Sequence, residues 1–287
     1  MVQWQIICNF VLMLKVEIDK RILDACGQLQ LGLIEAEVRN SDTPDSLWAE
    51  IQQEAERIKS TYQLLEINQR PAVAATRKLY KALGKDPGRY RVASEALCRR
   101  IIKGLGLYRL TTLIDVVNLV SIRSGYPISG LDFDKIEGDT LYLGVGEANE
   151  PYCGIGRGAL NIENMPVYRD AIGGIATPTS DEERTKFVLE TKKVQINING
   201  FGPEMDMAET VQWMVQLLEK YAFATHVETR IISNFQSKSN HASFVSSIFS
   251  IPNPTSEEFC SATSSSIFKI AILVAKFPFP ISSSPIS

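Results

Sequence analysis

Histidine and cysteine are both scarce in this chain of 287 residues, and neither is arranged for chemistry. The two histidines, His226 and His241, fall late in the chain. That argues against a histidine-based triad or a histidine-rich metal site. The five cysteines (Cys8, Cys26, Cys98, Cys153, Cys260) are odd in number, scattered, and form no C-x-x-C pair. A disulfide framework and a zinc site are therefore not expected, and a reducing, cytoplasmic setting is. No run reaches the roughly 18–20 apolar residues of a membrane span. Residues 1–12, MVQWQIICNFVL, lack the basic leader and cleavage site of a secretory signal and read as an upstream extension, with Met13 as the natural start. The glycines of GIGRG (154–158) lack a strand–loop–helix setting and read as a turn, so no cofactor is expected.

Acid is the other thing missing, and only in one place. Residues 70–109 hold eleven Lys/Arg against two acids, a charge of +9 in a chain whose net charge is −3, which leaves −12 for the remainder. Charge segregated in this way points to an anionic partner such as RNA. Tyr80, Tyr90 and Tyr108 are interleaved with the cations, and unpaired bases stack on aromatic faces. A solvated pair of basic helices would have the same composition, so both readings stay open.

Strands are expected at 14–19 and 29–38. Thr43–Pro44–Asp45 then opens a helix, Thr43 as cap and Pro44 at its first position. Its buried stripe is Leu47, Ile51, Ala55, Ile58, Tyr62 and Leu65. Further helices are expected at 71–83, closed by Gly84, from a cap at Ser94 to Gly104, and at 111–124. After Pro127 the texture changes to short strands at 140–146, 165–170 and 192–200, a helix at 206–222 and a last strand at 225–232. The class is α+β, N-terminal helices packed on a mostly antiparallel sheet. The domain is expected to span 13–233. From 234 onward the chain holds fifteen serines and seven of its twelve phenylalanines but five charged residues, and reads as a tail outside the fold.

Two constellations stand out. Asp115, Asn118 and Ser121 share one helical face among apolar neighbours, as a pocket lip or as an internal hydrogen-bond network. Thr179–Ser180–Asp181–Glu182–Glu183 holds a Ser180/Glu183 pair that fits a capping box, or a carboxylate for a ligand.

Spaced matches in three blocks carry a resemblance. They run from Arg77 and Tyr80 through Gly84, Pro87, Tyr90–Arg91, Ser94–Glu95, Leu97 and Arg99–Arg100, then Asp115, Asn118, Ser121, Pro127 and Asp132, then 178–200. Over roughly residues 14–232 the chain resembles the B3/B4 domain of the phenylalanyl-tRNA synthetase β subunit, and more closely the free-standing proteins built from that domain alone. The resemblance implies a tRNA partner rather than DNA, and hydrolysis of misacylated aminoacyl-tRNA by a positioned water. A tRNA- or amino-acid-binding module without turnover is the alternative. The implied RNA face is Arg77, Tyr80, Arg89, Tyr90, Arg91, Arg99, Arg100 and Lys103. The implied amino-acid pocket is Asn118, Ser121, Ser129, Thr179 and Glu183, where Glu183, or Glu182 beside it, is the counterpart of a Glu that accepts a phenol hydroxyl. Val117 stands where the synthetase pattern has Thr, and Ser129 where it has His, which implies an altered pocket lining.

Overall fold

In the computed structural model, which describes residues 13–202 and 206–235, alternation along the strands sets the architecture. The elements run β1 (Lys15–Ile18), α1 (Lys20–Ala25), β2 (Gln28–Glu37), α2 (Asp45–Thr61), α3 (Pro71–Ala82), α4 (Ala93–Ile102), α5 (Thr112–Ser124) and β3 (Ile128–Asp132). They continue β4 (Thr140–Val145), β5 (Cys153–Gly154), β6 (Gly158–Ala159), β7 (Pro166–Arg169), β8 (Gly174–Ala176), β9 (Lys193–Gly200), α6 (Met207–Ala222) and β10 (Thr225–Phe235). The expectations for residues 1–12 and for the tail beyond 235 lie outside the described residues.

The fold is α+β, with its strands in two four-stranded sheets, β10-β2-β9-β3 and β1-β4-β7-β8, beside a small β5-β6 hairpin. All neighbours in the first sheet are antiparallel. In the second, β1 and β4 are parallel and the rest antiparallel. β9 is central, and both its faces are buried. With a period of two, Val194, Ile196 and Ile198 enter one core with Val116, Val117 and Val120 of α5 and Val211, Met214 and Leu218 of α6. β2 alternates in step. Its Ile34 and Ala36 join that helical side. Its Leu29, Leu31 and Leu33 join Leu131, Leu141, Leu143, Tyr168 and Ile175 in a second core shared by the two sheets.

Three local expectations are corrected. Thr43 does not cap α2; its hydroxyl donates to Asp115 Oδ2 at 2.5 Å, and Pro44 is the residue before the helix. Ser94 lies inside α4 and donates to the carbonyl of Gly125 at 2.7 Å, tying α4 to the end of α5. Leu65 falls beyond the end of α2 and is exposed rather than part of its stripe. The last strand also runs three residues past its expected end at 232, pairing Phe235 with Gln28.

Gly146 follows β4 where the chain has no room for a side chain. A Cβ there would lie 2.0 Å from the carbonyl oxygen of Ile162. Backbone bonds from Gly146 N–H to Met165 O (2.8 Å) and from Asn164 N–H to Gly146 O (2.9 Å) hold that approach. Gly146→Ala is expected to cost at least the roughly 1–3 kcal/mol of an overpacked core. Urea denaturation reads this directly; an unchanged midpoint would show that the 146–165 backbone yields freely.

Candidate functional site

The cations of residues 70–109 do not form one surface, because the helices that carry them must bury a face. Arg70 is buried and donates to the carbonyls of Ile122 and Arg123, both at 2.8 Å. A guanidinium there satisfies carbonyls left open at the C-terminus of α5. Arg77 spans α3 and α4, donating to Pro87 O and to Glu95 Oε2, each at 2.9 Å. Glu95 is 1% exposed, and its other oxygen lies 3.7 Å from Arg99. The Lys85 ammonium donates to the carbonyls of Asn161 (2.9 Å) and Glu163 (2.7 Å) and sits over the Tyr90 ring. Arg109 is held by Thr43 O and Asp45.

Tyr80 is the clearest correction. Its side chain is 0% exposed, and its hydroxyl shares a 2.9 Å hydrogen bond with Thr179. Burial pushes the phenol far above its usual range. The ring packs the interior and cannot stack on a base. Arg77 is likewise spent on Glu95, and Tyr90 packs against the small core of Tyr152, Ile162, Met165 and Val167. Arg89 is exposed beside the Tyr90 ring, at 5.6 Å.

Four of the expected cations do converge. Arg91, Arg99, Arg100 and Lys103 line a groove of about 240 Å³ on α4, with Ala96 and Leu105. Arg91 and Lys103 are exposed. Arg99 reaches back to Leu64 O at 3.2 Å, so it belongs partly to the scaffold. The guanidinium of Arg100 stacks over the Tyr108 ring at 4.2 Å.

A second site lies on the inter-sheet face of β9. Gln195, Asn197 and Asn199 point away from the helices and are almost fully buried. Ser129 is the register partner of Asn197 and equally buried. Beside it the carboxyl of Asp181 accepts the Gly130 N–H at 3.1 Å, with the Ser129 hydroxyl close enough to act on it. Asp181 is half-buried as a residue, but desolvation of its carboxyl pushes the pKa up to about 7. Gln195 Nε2 donates to Asn197 Oδ1 at 2.7 Å, which leaves Gln195 Oε1 and Asn197 Nδ2 buried with no hydrogen-bond partner. Such atoms are costly, so an acceptor and a donor are on offer in this layer. Asn199 is satisfied by Tyr168 OH (2.7 Å) and Pro127 O (3.1 Å).

The expected pocket is thereby divided. Ser129 lines this layer, and Thr179 is buried against Tyr80 on the same 177–181 segment that supplies Asp181. Asn118 and Ser121 belong to α5, which packs on the opposite face of the sheet. Asn118 lies one helical turn from Asp115 and acts on its carboxylate, which accepts from Thr43 and from the Leu110 N–H. The Ser121 hydroxyl donates to Tyr126 O at 2.9 Å. Asn118 thus acts within α5, Ser121 ties the helix to the turn that follows it, and Val117 sits in the apolar core. Glu183 is not at the end of an apolar slot. Its carboxylate accepts the Gly156 N–H at 3.1 Å and pairs with the Lys186 ammonium, and these hold it below the usual carboxylate range. The Ser180/Glu183 capping box does not form. Glu182 instead accepts the Arg184 N–H, and Ser180 donates to Asp181 O.

Of this candidate layer, Gln195 and Asn197 lie outside the segments singled out from the sequence, and Asp181 lies inside one without being named as a pocket residue. The available signal was the alternation Q-I-N-I-N in 195–199, with amides where a solvent-facing strand more often carries charge.

A family model, the B3/4 domain, matches residues 75–220. Among solved structures, the chain is similar to an N-terminal fragment of the phenylalanyl-tRNA synthetase beta-subunit from Pyrococcus horikoshii, with 18% identity and a TM-score of 0.41. That similarity covers 74% of this chain and 50% of the other, so the chain spans about half of the fragment it matches. No curated protein matches the chain.

Proposed function

The chain belongs to the B3/4 domain family, and on that premise we propose that it binds tRNA and hydrolyses misacylated aminoacyl-tRNA. The observation that carries the reading is the groove in which Arg91, Arg99, Arg100 and Lys103 converge. Polyanion binding of this kind rests on cations placed within reach of successive phosphates.

The inter-sheet layer supports the second half of the reading. An aminoacyl ester is already activated, so its hydrolysis needs a positioned water and donors for the oxyanion rather than a protein nucleophile. Water attacks the ester carbonyl, the bond to the ribose oxygen breaks, and a proton passes from water to that oxygen. Free amino acid and tRNA with a free terminal hydroxyl result. Asp181, with a carboxyl poised near neutrality, is the group suited to take and return that proton. The free Nδ2 of Asn197, on the register partner of Ser129, is the donor in the same layer. Binding without turnover is the second reading, favoured by burial. Ser129 and Asn197 are 1% and 0% exposed, so substrate entry requires the layer to open.

The test uses the full-length chain and a panel of tRNAs charged with correct and incorrect amino acids. Selective deacylation of one mischarged species supports hydrolysis. Salt-sensitive tRNA binding without deacylation leaves the binding module, and no binding removes both readings. In the same assay, Arg91→Ala with Lys103→Ala is expected to weaken tRNA binding across all species. Each phosphate contact removed should flatten the log–log salt slope by about 0.7–0.9. These two residues are chosen over Arg99 because Arg99 also holds Leu64 O and faces Glu95. An unchanged slope would move the RNA face elsewhere.

A further inference from the structure

The connection between α4 and α5 exposes more apolar surface than a solvated loop needs. Tyr108 is 65% exposed, Leu105 60% and Leu110 49%. Leu105 is itself part of the groove wall, and Arg100, stacked on Tyr108, lies in the same wall. The rim of the cationic groove is therefore aromatic and aliphatic. The Arg100 Nε is buried with no hydrogen-bond partner; its Nη2 donates to Leu105 O at 3.3 Å while the guanidinium stacks on Tyr108.

Cations beside exposed aromatic and aliphatic side chains suit an unpaired strand, in which phosphates and base faces are presented together. A duplex offers the groove phosphates and ribose but keeps its base faces stacked inside, so it gains nothing from Tyr108. We infer that the groove takes a single-stranded RNA segment, with one base stacked on Tyr108 and neighbouring phosphates at Arg91 and Lys103. This rests on the RNA-binding reading above and adds to it the strandedness of the ligand and a stacking platform. Tyr108 takes the role that burial denies to Tyr80.

The experiment measures binding of the full-length chain to an unstructured RNA of about eight nucleotides, within the usual span of a single-strand site. The same RNA as a blunt duplex and an acidic tyrosine-containing peptide are the comparisons. Tyr108→Ala, Tyr108→Phe and the Arg91→Ala/Lys103→Ala pair are assayed beside the parent. The expected result is preference for the single strand, a loss of about five- to a hundredfold with Tyr108→Ala, and little loss with Tyr108→Phe, which keeps the stacking face. A 2-aminopurine in the strand should be quenched by the parent and not by Tyr108→Ala. Loss with the cation pair but none with Tyr108→Ala would overturn the inference while leaving the RNA-binding reading standing. Preference for the duplex would do the same. Failure of both RNAs to bind would remove the two together, and tighter binding of the peptide would reassign the face to a protein partner.

Discussion

Replacing Arg77 with methionine is expected to cost about 3–5 kcal/mol of stability, because it strands a buried carboxylate. Glu95 is 1% exposed and takes its closest cation from Arg77, at 2.9 Å, while Arg99 stands off at 3.7 Å. Methionine retains most of the apolar stem of arginine, so lost packing contributes little and the uncompensated charge dominates. Chemical denaturation of the parent and the variant reads the loss. Arg77→Met combined with Glu95→Leu is expected to recover much of it, since removing both charges removes the desolvation penalty as well. By contrast Arg91→Ala, on the exposed groove wall, should stay within about 0.5 kcal/mol. A neutral Arg77→Met would show Glu95 to be solvated and would return Arg77 to the list of cations free to meet RNA.

Asp181 is expected to make stability fall as pH rises between about 4 and 7. The unfolded chain releases this proton near 3.8, whereas the fold retains it up to about 7. Across that window the native state binds more protons than the unfolded state, so the contribution is full at low pH, declines through the window and is flat above it. Each pKa unit carries roughly 1.4 kcal/mol; discounted for the partial exposure of Asp181, the expected change is on the order of 2 kcal/mol. Other groups titrate too, so the quantity to measure is the stability difference between the parent and Asp181→Asn at pH 4.5 and pH 8. The asparagine variant should gain relative to the parent as pH rises. A difference that does not vary with pH would mean that the carboxyl is solvated, and would remove the near-neutral acid from the proposed hydrolysis. If that hydrolysis holds, its rate should rise through about pH 7 as Asp181 ionises, and Asp181→Asn should lose that dependence.

Much of this protein was legible before its tertiary structure. The period of two in VQINING predicts β9, the three-or-four spacing of Leu47, Ile51 and Ile58 predicts α2, and both are found where expected. The spaced residues from Arg77 to Asp132 carried the family, and the charge of residues 70–109 is fixed by composition. These are local properties: periodicity, turn chemistry and composition act within one element or between adjacent ones.

Tertiary structure alone decided which of those charges are free. The partners of Arg70, Arg77 and Lys85 lie 52, 18 and 76 residues away, so no local pattern separates them from Arg91 and Lys103. It also decided that the amides of β9 face an interior. Alternation assigns them to the face opposite Val194 and Ile196, but only a second sheet folded over that face turns a polar surface into a buried layer. For the same reason Asn118 and Ser129, eleven positions apart, end on opposite sides of one sheet, while Asp181 is brought from a distant segment to accept the N–H of Gly130, next to Ser129. Sequence spacing sets which way a side chain points along its own element; what it meets there depends on which other element is packed against it.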